Sequence, residues 1–250
     1  MSRTTAEAKA GLIADTCALL IDDNEDEARF AESLFSYADT EDLVNYTPSE
    51  LAVVSQEAWA DFATHPLGTH RIRVFNPQPN ADGKQLEDVT IVEIVNDNMA
   101  FLVSSVMGAI QVAGYEVRLV LHPLFVVERD AEGNLLKFHG TVGTGGASVR
   151  RESLIHIHLT RLNSDEEINK LEENLDLVLN DVRQAVDDWR PMRDRIEQAV
   201  GEYHQIREKA DNKTFDEAIA FLEWMAADNF TLLVFANSSL MGPVKTVSFL

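Results

Sequence analysis

Residues 89–103, Val-Thr-Ile-Val-Glu-Ile-Val-Asn-Asp-Asn-Met-Ala-Phe-Leu-Val, decide how the chain is read. A β-branched run from Val89 to Val95 stops at a polar stretch, and an apolar helical pattern begins at Phe101. This is a strand feeding a helix through a short Asn/Asp loop. The first turn of such a helix offers backbone N–H groups without intrahelical partners and the positive end of the helix dipole, which together suit a carboxylate. Asn96, Asp97, Asn98, Met99 and Ala100 are therefore the candidate ligand-binding residues. The plainer alternative is that Asn96 or Asp97 caps the helix.

Outward from this junction the pattern alternates between strands and helices. Arg71 to Phe75 alternates as a strand and is stopped by Asn76-Pro77 and by Asn80-Ala81-Asp82-Gly83. The helix from Phe101 to Val112 closes at Gly114. Tyr115 to Val127 is β-rich and interrupted at His122-Pro123, which predicts an edge or a bulge. After a turn at residues 130–133, a returning strand starts at Asn134-Leu135-Leu136, and Glu152 to Leu159 forms another strand. Strand, helix, two strands, helix and a final strand (Phe230 to Phe235) is the split βαβ, ferredoxin-like order. The expected class is α+β, an antiparallel sheet with helices on one face.

Helical segments flank this domain. Residues 4–64 carry apolar stripes for about three short helices, and Thr47-Pro48-Ser49-Glu50 is a capping box with proline at the first helical position. Ser164-Asp165-Glu166-Glu167 is a second box, and an apolar repeat then runs from Ile168 to Ile206. That repeat is either one long helix kinked at Pro191 or two helices in near register, folding back as a hairpin or packing on another chain. Thr214-Phe215-Asp216-Glu217 is a third box. The expected division is an acidic helical module at 1–66, an α+β domain at 67–162, a long helical segment at 163–228, and a strand and tail at 229–250.

Charge narrows the partners. The formal net charge is −21, of which residues 1–64, with 3 basic and 14 acidic side chains, contribute −11. Nucleic acid and anionic membranes both need clustered Lys and Arg, so neither is expected as a partner. No apolar run approaches the ~20 residues that span a bilayer, and the first ten residues lack the apolar core of a signal peptide. The single cysteine, Cys17, rules out a disulfide framework. These features predict a cytoplasmic protein.

Other chemical signals are weak. His156 and His158 share a strand face, a spacing that can present two metal ligands, but only His122 and His139 are conceivable partners and no metal is expected. Gly143-Thr144-Gly145-Gly146 lacks the Gly-Lys-Ser/Thr ending of a phosphate loop. Asp22 to Glu27 lacks the glycine and the terminal glutamate of a calcium loop. Cys17 has acidic neighbours, which raise a thiol pKa. No catalytic constellation can be assigned.

Several segments, in order, resemble the N-terminal region of the large bacterial NAD-specific glutamate dehydrogenases. They are Arg73-Val74-Phe75-Asn76-Pro77, the run from Glu93 to Val106, Leu121-His122-Pro123, Glu152 to Ile157, Asp187 to Met192, Phe221 to Trp224, and Asp228-Asn229-Phe230. The chain departs from the family pattern at Ala100 and Ser104, where proline and aspartate are usual. The resemblance implies an ACT-like regulatory domain at the ferredoxin-like pattern, with an amino acid effector at Asn96–Ala100. It implies a parent enzyme that deaminates L-glutamate oxidatively to 2-oxoglutarate and ammonia. The dehydrogenase core of that enzyme, with its NAD, has no counterpart in these residues, so no cofactor is expected here. The expected role is non-catalytic, in regulation and assembly, with self-association and the remainder of the parent enzyme as partners. The alternative is a pure oligomerisation module with no ligand site.

Overall fold

The computed structural model describes residues 3–21, 24–78, 84–141, 149–207 and 213–229. The turn at Asn80–Gly83, the Gly143–Gly146 loop, the strand at Phe230–Phe235 and the tail lie outside the described residues, as do Asp22 and Asp23. The chain divides into two compact units, residues 1–179 and 180–250.

The first unit begins with four helices, α1 (Arg3–Leu20), α2 (Glu25–Ser36), α3 (Thr40–Leu43) and α4 (Pro48–Phe62). Six strands follow: β1 (His70–Phe75), β2 (Val89–Asp97), β3 (Val117–Leu121), β4 (Leu124–Arg129), β5 (Leu135–Phe138) and β6 (Val149–Thr160). Helix α5 (Leu102–Val112) joins β2 to β3, and α6 (Asp165–Arg207) follows β6. All strand pairs are antiparallel, in the order β1-β2-β6-β4-β5. β3 pairs with residues 156–159 of β6 and β4 with residues 149–153, so both lie along the same edge of β6. The His122-Pro123 interruption separates them, and the Leu154 N–H still donates to Pro123 O across it (3.2 Å).

β2, α5 and β3/β4, with β6 inserted between the strands, form the expected split βαβ unit. The position beside β2 is taken by β1, which precedes it in the chain. Strands β2 and β6 are buried on both faces, and the second face is where the N-terminal helices go. Val89, Ile91, Val95, Leu119, Leu121, Phe125, Val127 and Leu154 share one core with Leu20, Phe30, Leu34, Leu43, Leu51 and Phe62. The acidic helices, set apart at 1–66 in the sequence reading, thus form a layer on the sheet. On the opposite face lie Val92, Ile94, Ile155 and Ile157, fully buried along with Leu102, Val106 and Ile110 of α5 and Leu171 and Leu175 of α6.

Local signals explain the helix ends. The Thr47/Glu50 capping box is formed, with both reciprocal bonds present. Glu50 does more than cap, because its Oε1 accepts the N–H groups of Gln85 and Leu86 at 2.7 and 3.3 Å. Helix α5 ends in a Schellman motif: Gly114 (φ +80°) donates to Gln111 O and Tyr115 N–H to Ile110 O. Ser164 Oγ accepts the Glu167 N–H at the start of α6. Pro191 neither ends nor reverses that helix, which is one continuous run of 43 residues. Of the alternatives left open by the sequence, the single long helix is the one present. Side chains span the proline turn, with Arg193 over the Trp189 ring at 5.1 Å.

In the second unit the latter part of α6 is followed by α7 (Lys213–Trp224) and a π-helical turn (Met225–Asn229). Met192 and Ile219 are buried, and His204 Nε2 lies 3.1 Å from Glu223 Oε1.

Two devices fasten the helical layer to the sheet. Phe30 packs on Trp59, Phe62, Phe125 and Phe138 with ring centroids 5.0–5.8 Å apart, and such pairs add ~1 kcal/mol each beyond area burial. The other device is Arg129 on β4. Its guanidinium holds Glu152 through two bonds of 2.8 Å and also donates to the carbonyls of Phe62, Ala63 and Gly133. It thereby satisfies the C-terminal carbonyls of α4 inside the core. Burial pushes the Glu152 carboxyl up, but hydrogen bonds from His65 and Arg129 outweigh it and hold the pKa below the usual carboxylate range. Gly133 closes the cluster. At φ +90° a Cβ there would come within 2.6 Å of the His65 backbone.

Arg129→Met is expected to destabilise the chain by about 3–5 kcal/mol in urea unfolding, because it strands a buried carboxylate. Adding Glu152→Gln should recover part of that loss by removing the orphaned charge.

Candidate functional site

The strand-to-helix junction is built as the sequence suggests, but its polar groups are used differently. Asn96 is fully buried at the end of β2. Asp97 is half-buried, and its Oδ2 accepts the Gly68 N–H at 2.8 Å, tying the loop before β1 to the end of β2. The Asn98 N–H donates to Arg151 O (3.1 Å) while its side chain is exposed. Met99 is half-buried and Ala100 exposed.

Neither Asn96 nor Asp97 caps α5. The N-cap position is Phe101, in the left-handed region at φ 67°, and it makes no side-chain cap bond. A phenylalanine in that conformation costs roughly 1–2 kcal/mol. Its carbonyl is held by Ser104 Oγ (3.0 Å) and by the Ser105 N–H (3.0 Å). The N-cap residue thus places no side-chain acceptor at the positive end of α5, where a carboxylate could bind. Asp97 would have to serve such a ligand while still holding Gly68.

The strongest electrostatic perturbation lies elsewhere, on the sheet face under the N-terminal helices. The β2–β6 register sets Glu93 opposite His156 and Ile91 opposite His158. A linear chain of polar groups results. Tyr46 Oη lies 2.6 Å from His158 Nδ1, His158 Nε2 lies 2.8 Å from His156 Nε2, and His156 Nδ1 lies 3.2 Å from Glu93 Oε1. Beyond Glu93 come Arg73 Nε at 3.3 Å and then Glu57 Oε2, 3.3 Å from Arg73 Nη2. Arg73 also stacks over Phe75 at 3.8 Å, and Arg71 pairs with Asp61 at 2.6 Å.

The line runs from the α3–α4 connection across that sheet face to α4. Its central members are sealed from solvent, Glu93 at 1% exposure and both histidines at 0%. Burial dominates their protonation. It pushes Glu93 up to about 7 against the pull of Arg73 and Arg71. It drives His156 down to about 3 and His158 well below its usual value, and it raises the Tyr46 phenol. Both imidazoles are therefore neutral. Hydrogen bonds link Tyr46 to His158 and His158 to His156, while His156 Nδ1 faces Glu93 Oε1 at 3.2 Å without hydrogen-bond geometry.

The two histidines do not recruit the partners that a metal site would need. His122 Nε2 is taken by Ser153 Oγ (2.7 Å) and His139 Nε2 by Glu128 Oε1 (2.7 Å). Among the described residues no group of three or more His, Cys, Asp or Glu is arranged to hold a metal ion. Cys17 donates to Ala28 O at 3.4 Å, and burial followed by the Glu32 charge raises its pKa. The sequence reading paired the histidines but missed Glu93, Tyr46 and Arg73. The available signal was the lone glutamate at an inward position of the β-branched run.

Glu93 binds its proton more tightly when folded, so its contribution to stability is fully present below its unfolded pKa, near 4.5, and is lost as pH rises through about 7. The histidines act oppositely, losing stability as pH falls below 6.5. Comparison with Glu93→Gln isolates the carboxyl. Relative to wild type, the variant should gain on the order of 3 kcal/mol as pH rises from 4.5 to 7, measured by urea unfolding at stepped pH.

Residues 30–175 match the family described as glutamate dehydrogenase, ACT1 domain. The chain is 31% identical over 205 residues to the NAD-specific glutamate dehydrogenase of Halomonas elongata, covering 82% of this chain and 13% of that protein. It is 28% identical over 210 residues to the Pseudomonas aeruginosa protein of the same name, covering 84% of this chain and again 13% of the relative. The chain thus spans about an eighth of the length of these relatives. The matched segment runs from α2 through the sheet and α5 into the first turns of α6, and on that match the chain belongs to the glutamate dehydrogenase ACT1 domain family.

Proposed function

We propose that this chain is a non-catalytic regulatory and assembly region of a cytoplasmic NAD-specific glutamate dehydrogenase. The parent reaction is the oxidative deamination of L-glutamate to 2-oxoglutarate and ammonia, with NAD held by the catalytic domain and not by these residues. One observation carries the reading: the groups with the most altered acid–base properties are sealed inside the core. Glu93, His156 and His158 are at most 1% exposed, so none can touch a substrate. Their contacts join the helical layer to the sheet, which is a structural task. Among the described residues no helix is long and apolar enough to cross a membrane, which fits a role within a larger enzyme.

The regulatory part of the proposal rests on the Asn96–Ala100 junction. An amino acid effector would set its α-carboxylate at the uncapped positive end of α5. Its ammonium would go to the Asn98 carbonyl or to the Asp97 carboxylate, whose oxygens can accept more than one hydrogen bond. The exposure of Asn98 and Ala100 leaves the turn open to solvent. The second reading, an oligomerisation module without a ligand, is favoured by the bond that Asp97 already makes to Gly68.

The purified chain with glutamate and NAD should yield no NADH above a protein-free control; steady production would overturn the non-catalytic reading. Thermal unfolding against a panel of amino acids separates the other two. A specific effector at a hundred times its Kd should add about 2.7 kcal/mol, whereas no shift with any amino acid favours the oligomerisation module.

A further inference from the structure

Helix α4 and strand β1 meet through charges whose count does not balance. Glu57 and Asp61 stand one turn apart on α4, and Arg71 and Arg73 share one face of β1. Asp61 Oδ1 lies 2.6 Å from Arg71 Nη2. Arg73 Nη2 donates to Glu57 Oε2 at 3.3 Å, while its Nε lies 3.3 Å from Glu93 Oε2 without hydrogen-bond geometry. Glu93 stands opposite Arg73 in the β1–β2 register. Among the described residues, three carboxyls therefore face two guanidiniums. The other groups around Glu93 are uncharged: β6 presents the neutral His156 and His158, and the α3–α4 connection presents Tyr46. Both Glu93 oxygens are buried and accept no hydrogen bond from a described residue. A bare carboxylate in such a place is costly.

We propose that Glu57, Asp61 and Glu93, sharing Arg71 and Arg73, form a proton-operated latch between α4 and the β1–β2 edge of the sheet. With a proton on Glu93 the charges balance, two carboxylates against two guanidiniums, and Arg73 is free to hold Glu57 of α4. The hydrogen bond from Arg73 to Glu57, with none to Glu93, is the latched arrangement. When the proton passes to solvent, the sealed Glu93 carboxylate competes for Arg73, the cluster carries a net negative charge, and α4 loses its hold on β1. Opening the seam then lets water reach Glu93 and relieves the buried charge. Burial outweighs Arg73 and Arg71 and pushes Glu93 up to about 7, and burial raises Glu57 and Asp61 as well, so all three carboxyls favour the protonated, latched state. The loop joining α4 to β1 is gripped by Asp97 at the Gly68 N–H (2.8 Å). The latch thus lies one connection from the Asn96–Ala100 turn, and it works whether or not that turn takes an effector.

Hydrogen exchange of the 250-residue chain tests it, with α5, on the other face of the sheet, as the internal reference for α4. Glu93 contributes stability below its unfolded pKa and loses it as pH rises through about 7, whereas the two histidines act oppositely. Each wild-type value is therefore set against Glu93→Gln, which keeps both histidines. From about pH 5 to about pH 7, the ratio of α4 to α5 protection should fall roughly tenfold in wild type and should not fall in Glu93→Gln. Glu57→Gln removes a like charge and leaves Arg73 to Glu93, so it should shrink the wild-type fall several-fold. That position is partly exposed and glutamine is a good helix former, so this comparison decides alone if Glu93→Gln does not fold. A wild-type ratio that stays level means that Glu93 acts only on global unfolding, and it overturns the latch. A Glu57→Gln chain that keeps the full wild-type fall overturns the sharing of Arg73 and the latch with it.

Discussion

Strands β2 and β6 are buried on both faces, and most of the molecule follows from that constraint. An antiparallel sheet can leave one face to water, but β2 carries buried side chains at eight of its nine positions, and β6 is buried throughout its centre. One layer of helices cannot cover such strands. α5 and the start of α6 cover one side, and α1 to α4 must cover the other. The acidic N-terminal helices are therefore a working half of the core, and two of their carboxylates, Glu50 and Asp61, are buried with them.

Double burial also dictates how the polar groups inside are handled. A charge between two layers is tolerated only if it is neutralised or fully partnered. Both solutions occur side by side on the same sheet face. Arg129 and Glu152 remain a charged pair, because five hydrogen bonds satisfy the guanidinium and the carboxylate is held on both oxygens. Glu93 sits at a longer 3.3 Å from the half-exposed Arg73, so burial prevails and its proton is retained toward neutral pH. Two neutral imidazoles, hydrogen-bonded to each other, then continue the polar line to Tyr46.

Much of the fold was legible along the chain. The Thr47/Glu50 box, the end of α5 at Gly114 and the break at His122-Pro123 are written in neighbouring residues and form where those residues say. The strand-to-helix step at 89–103 was legible too, and the split βαβ order followed from it. Within that step, however, the cap that Asn96 or Asp97 could supply does not form. Asp97 accepts from Gly68, far back in the sequence, and the cap position falls to Phe101 in a left-handed conformation that propensity disfavours. Pro191 reads as a break because it removes one backbone donor, yet the helix continues on both sides of it.

Periodicity and end signals are short-range, so the chain itself declares its helices, its strands and the α+β class they compose. Which faces meet depends on contacts between residues far apart, and no local pattern records them. Nothing near Tyr46 announces His158, 112 positions away, and nothing near Phe62 announces Arg129. Those pairings arise only once β6 lies between β2 and β4 and the helical layer closes over it. The closure sealed a histidine pair on one strand face into a buried polar line.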